Sequence, residues 1–180
     1  MPSSSSSSNN NNNNSSSRIG NLHHHLPFRR STIDLILQAV SLGTVDHTVA
    51  YLAINYLDRY IARRGSPSDK EWVPGFVAVS CLSIASKMMH PKFSLLRLLR
   101  DTNSWFAAET VGRMEKLILC ALEWRTRSIT PFAFLRYFLA SNSAPSSHFH
   151  SVVRKRAIAI FARAQRGIPH ARTHARQQTN

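Results

Sequence analysis

Glycine is scarce, with six residues in 180. A phosphate-cradling loop is built from glycine-rich backbone, and neither GxGxxG nor GxxxxGK[ST] occurs in the chain. GxSxG, HExxH and CxxC are missing too, so the common hydrolase, zinc-peptidase and dithiol signatures are all absent. The chain is therefore expected to act by binding rather than as an enzyme. Cysteine is limited to Cys81 and Cys120, far apart in apolar stretches, whereas a structural zinc site takes four ligands at short spacings. No metal and no cofactor is expected, and both thiols are expected to be buried. No apolar run reaches the roughly 18 residues of a membrane span, and serine and asparagine fill the place of a signal-peptide core. An intracellular chain with reduced thiols and no membrane partner follows as the expectation.

Acidic residues are also few: 9 Asp plus Glu stand against 23 Lys plus Arg, for a net charge of +14. The excess is uneven. Between Ser31 and Ala140 there are 13 basic and 9 acidic residues, and from Ser141 onward 7 basic and none acidic. The central part is thus only mildly basic. In the tail only Arg154-Lys155-Arg156 forms a tight run, so specific nucleic-acid binding is not expected, although such tails also suit anionic surfaces and nuclear import.

Residues 2 to 17 are proline, serine and asparagine only, a composition too polar to offset the entropy of ordering, and residues 1–27 are expected to be a disordered tail. His23, His24 and His25 read as a solvated run, because adjacent helix positions point to different sides. From Phe28 to Leu42, Ile33, Ile36, Leu37 and Val40 recur at helical spacing, and Gly43 ends the pattern. A second helix, capped by Thr44 or Asp46, carries Val49, Leu52, Ala53, Tyr56, Leu57, Tyr60 and Ile61 on one stripe. Trp72 to Met89 is apolar nearly all round and predicts a central, surrounded helix, with Pro74 tolerated in its first turn.

His90-Pro91 breaks that helix, and a short segment from Phe93 to Asp101 follows. The next helix, Ala107 to Glu123, is expected to turn Val111, Met114, Leu117, Ile118, Ala121 and Leu122 inward. Thr130-Pro131 opens another, and a last amphipathic stretch runs from Val152 to Ala164. The count is five helical segments up to residue 123, two more after it, and no convincing strand. The fold class is all-α.

Three blocks, VAYLAINYLDRY (49–60), VAVSCLSIASKM (77–88) and RMEKLILCALEWRTRSITPFAFLRYF (113–138), resemble in order and spacing the cyclin box of plant D-type cyclins. The resemblance implies five helices around a central apolar one over residues 28–128. An incomplete second cyclin fold over 129–167 and a basic tail over 168–180 would follow. It also implies a regulatory subunit that binds and activates a cyclin-dependent serine/threonine kinase, in the nucleus and cytoplasm. The lysine of SIASKM, Lys87, and the glutamate of RMEKLIL, Glu115, match the family positions that contact the αC helix of the kinase. Arg29, or Arg30 in its place, and Asp58 match an internal ion pair that braces the first helix against the second, while Asn55 and Tyr56 serve packing and helix hydrogen bonds.

The chain also departs from the family. It contains no LxCxE motif, so docking of a retinoblastoma-type protein by that route is not expected. Leu35 stands where a tryptophan lines the family's substrate-docking patch, and Met88-Met89-His90 replaces the acidic residues that often follow the lysine. Two other readings stay open: a shortened, non-activating cyclin, and a cyclin-fold transcription factor that binds DNA.

Overall fold

The computed structural model describes residues 13–68, 70–90, 92–141 and 147–167. Among the described residues every regular element is a helix: α1 (Asn13–Ser41), α2 (His47–Arg64), α3 (Val73–Met89), α4 (Leu95–Asp101), α5 (Ala108–Ala121), α6 (Pro131–Ser141) and α7 (Ser147–Gly167).

Central α3 follows from its composition. Every residue from Val77 to Ser86 is buried, because no face of the sequence is polar and all faces are covered by neighbours. The serines and alanines on it let α1, α2 and α5 approach. Pro74 falls in its first turn, where the missing N–H has no intrahelical partner to lose.

The second helix begins where Asp46 caps it, the carboxylate accepting from the N–H of Thr48 and of Val49 at 2.8 and 2.9 Å. It ends at Gly65, whose φ of 75° is a left-handed conformation that glycine adopts without strain. A Cβ there would also lie 3.2 Å from Cε1 of His25, so residue 65 must be small as well as permissive.

The structure departs from the sequence-based expectation at four places. The first helix begins at Asn13 rather than near Phe28, so residues 13–27 of the expected tail are helical and Pro27 lies inside the helix. Residues 1–12 are outside the described set, as is the expected tail 168–180. This segment is continuous with the packed part of the helix, which holds the buried Phe28, Ile33 and Ile36, and the fold grips it at His25. His25, read as solvated, is anchored: Ser66 donates its N–H to Nδ1 at 3.1 Å and places its hydroxyl 2.8 Å from the same atom.

On α5 the expected Leu117 is 59% exposed. The inward stripe runs through Val111, Met114, Glu115 and Ile118, so a glutamate occupies the place that hydrophobicity alone assigns to leucine. Cys120, expected in the core, is exposed, while Cys81 is fully buried. Burial pushes the Cys81 thiol well above its usual range, with the carboxylate of Asp58 adding to the shift. A thiol-specific reagent should therefore label Cys120 in the native protein and Cys81 only after unfolding. Two rapid native equivalents would contradict this burial.

The last two helices pack onto the first five through an aromatic cluster. Tyr51 of α2 meets Phe132 of α6 edge-on at 5.8 Å and Phe161 of α7 at 6.4 Å, and the two phenylalanines meet each other at 5.2 Å. Gln165 donates from its side chain to the Tyr51 carbonyl at 3.2 Å. No residue of α6 is fully buried, so this pair of helices is a satellite rather than a second core.

Candidate functional site

Lys87 lies in the last turn of α3 and Glu115 in the middle of α5. The fold brings them together: Nζ donates to Oε1 at 2.8 Å and to Oε2 at 2.7 Å. Their environments differ, since Glu115 is 8% exposed while the Lys87 side chain is 48% exposed. The carboxylate is thus set into the box and the ammonium stands at its rim, with its stem packed and its head toward water. An ammonium has three donors, and among the described residues only two are used. The lysine position is also favoured by the partial negative charge at the C-terminus of α3.

The exposed side chains that follow Lys87 are apolar rather than acidic. Met88 and Met89 follow Lys87 and are nearly half exposed, and Leu117 projects outward from the helix that carries Glu115. The Thr126 hydroxyl lies 3.6 Å from the Met88 sulfur. A charged pair beside exposed methionines suits a protein partner, because the apolar side chains supply area and the ion pair supplies orientation.

Arg29 and Asp58 form a bidentate pair, with Nε to Oδ1 at 2.6 Å and Nη2 to Oδ2 at 3.0 Å. Both side chains are largely buried. Nη2 also donates to the Gln165 carbonyl at 2.9 Å, so one guanidinium ties α1, α2 and α7 together. Tyr56 donates its hydroxyl to the Thr126 carbonyl at 2.7 Å, and burial pushes its phenol up to about 12. Asn55 accepts from the Ser128 hydroxyl at 3.4 Å.

Sequence reasoning missed one clamp. At the end of α5, Glu123 and Trp124 adopt left-handed φ values of 53° and 57°, unusual for residues with side chains. Arg59 covers the carbonyls left by this turn, donating to Arg125 at 2.7 Å and to Leu122 at 3.3 Å, while Arg63 pairs with the Glu123 carboxylate. The hydrogen bond from Arg63 holds the Glu123 carboxyl below its usual range. Two arginines four residues apart on α2, facing a helix that ends without glycine, were the available signal.

Among the described residues no group of three or more His, Cys, Asp or Glu could hold a metal ion, and no helix is long and apolar enough to cross a membrane.

With this geometry in view, residues 3–127 match the cyclin N-terminal domain. The chain belongs to the cyclin family.

Its similar proteins are D-type cyclins of plants. It is 41% identical over 95 residues to a putative cyclin-D6-1 of Arabidopsis thaliana, covering 53% of this chain and 31% of that protein. It is 39% identical over 121 residues to cyclin-D6-1 of Oryza sativa subsp. japonica, covering 65% and 38%. With cyclin-D4-1 of Arabidopsis thaliana the identity is 34% over 142 residues, covering 78% and 46%. This cyclin therefore spans between about a third and a half of the length of these relatives. Its all-helical first five elements agree with the cyclin box that the resemblance implied.

Proposed function

We propose that this cyclin binds and activates a cyclin-dependent serine/threonine kinase in control of the cell cycle, acting in the nucleus and cytoplasm. The observation that supports this reading best is the Lys87–Glu115 pair, held at the rim of the box beside exposed Met88 and Met89. A kinase is active only when its Lys–Glu ion pair is closed, and the position of its αC helix controls that closure. A partner that docks only on the inward αC conformation shifts the population toward it. The cyclin supplies no group to phosphoryl transfer. Lys87 would offer its third N–H to the kinase, and the methionines would fill the apolar side of the contact.

Pull-down from plant-cell extract with the full chain, followed by a kinase assay on the recovered complex, tests the proposal. A recovered and active cyclin-dependent kinase is the expected result. Recovery of an inactive kinase would favour the non-activating reading. Failure to recover any such kinase, with helicity verified by circular dichroism, would overturn the proposal, and salt-dependent binding of a duplex instead would favour the transcription-factor reading.

A further inference from the structure

Helices α6 and α7 do not close against each other. Together with the start of α2 they leave a groove of about 730 Å³, within the usual size of a ligand or peptide site. Its floor is apolar: Phe132, Leu135 and Leu139 from one face of α6, and Ile158 from α7. Phe132 is fixed from behind by the rings of Tyr51 and Phe161. At the sides stand Arg136 and Arg154. Among the described residues neither arginine has a carboxylate or hydrogen-bond partner. His150, on the same face of α7, keeps its Nε2 out of solvent and without a hydrogen-bond partner.

From these features we infer that the groove docks an acidic amphipathic segment of a partner protein, with bulky aliphatic side chains on the floor and carboxylates toward Arg136 and Arg154. Charge decides the sign of the partner. From Trp124 to the end of the chain there is no acidic residue, while α6 and α7 carry Arg136, Arg154, Lys155, Arg156, Arg163 and Arg166. Asp46 reaches the groove, but its carboxylate is engaged by the amides of Thr48 and Val49 and lies 3.2 Å from His90.

A second copy of this chain would bring a like-charged face to the same place, and like charges directly opposed are repulsive. Nucleic acid would meet the arginines but leave the aliphatic floor unused, since bases stack on exposed aromatic faces and the Phe132 ring is already packed edge-on. The helix-in-groove mode, with apolar anchors flanked by charge, fits what is present.

The test uses the full chain and fluorescence anisotropy at near-physiological salt. The probe is a labelled helical peptide with leucine on one face and glutamate on its flanks. Control probes replace glutamate by lysine, replace leucine by serine, or substitute a labelled DNA duplex. Binding of the Glu/Leu peptide is expected, with each control weaker by about tenfold or more. Arg136→Glu/Arg154→Glu should weaken the Glu/Leu peptide by a similar factor, and the charge-matched Lys70→Glu/Arg100→Glu should leave it unchanged. Leu139→Asp should abolish binding, and circular dichroism on each variant separates lost docking from lost fold. Equal affinity for the serine peptide, tighter binding of the duplex, self-association seen by sedimentation, or no effect of the paired arginine change would each overturn the inference.

Discussion

Asp58→Ala should destabilise the protein by about 3 kcal/mol or more in urea titration, well above the usual effect of a single substitution. The cause is the guanidinium left behind. Arg29 is buried, and without the carboxylate at 2.6 and 3.0 Å it keeps, among the described residues, only the Gln165 carbonyl. Removing the cation instead, as Arg29→Ala, takes the bidentate guanidinium from a partly buried carboxylate and also releases the carbonyl at the end of α7. Arg29→Met/Asp58→Leu should cost less than the sum of the two single changes, because replacing both ions by apolar side chains of similar volume leaves no uncompensated charge. A strictly additive cycle would show that the two residues contribute independently. Since Arg29 spans three helices, the single mutants should also raise amide exchange in α7 before α3.

What could be read in advance was set by local chemistry. Helices α2 and α3 follow from a capping aspartate, a terminal glycine and an uninterrupted apolar run, and their observed bounds differ little from those expected. The Lys87–Glu115 and Arg29–Asp58 contacts were implied by family resemblance, since nothing in composition or periodicity pairs residues 28 or 29 positions apart. What escaped depends on tertiary context. Leu117 and Glu115 exchange their expected places because a buried carboxylate is tolerable once Lys87 covers it. Cys120 is exposed because it lies on the outer side of the α5 stripe. The helical stretch before Phe28 escaped because serine and asparagine carry no periodic signal, whereas the anchor that orders its end, Ser66 on His25, comes from a loop 41 residues away.

Lys87→Ala and Glu115→Ala should each weaken binding of a purified cyclin-dependent kinase by about 2 kcal/mol or more if the pair forms the proposed contact, as loss of a desolvated interfacial charge commonly does. The two changes should not be equivalent for the fold. Lys87→Ala removes what is, among the described residues, the only hydrogen-bond partner of the Glu115 carboxylate, a residue 8% exposed, so a loss of stability of about 1 to 3 kcal/mol is expected from the unsatisfied acceptor alone. Glu115→Ala removes the buried charge itself and leaves an ammonium whose side chain is half exposed and can be hydrated, so the fold should lose less. Glu115→Gln refines the comparison by keeping the shape and one acceptor while removing the charge. Affinity and thermal unfolding must be measured on the same proteins, because a destabilised box would also bind poorly. A kinase affinity that falls in Lys87→Ala but is unchanged in Glu115→Ala would assign contact to the lysine and a positioning role to the glutamate. Unchanged affinity in both, with the stability ordering intact, would make the pair purely structural and move the kinase surface elsewhere on the box.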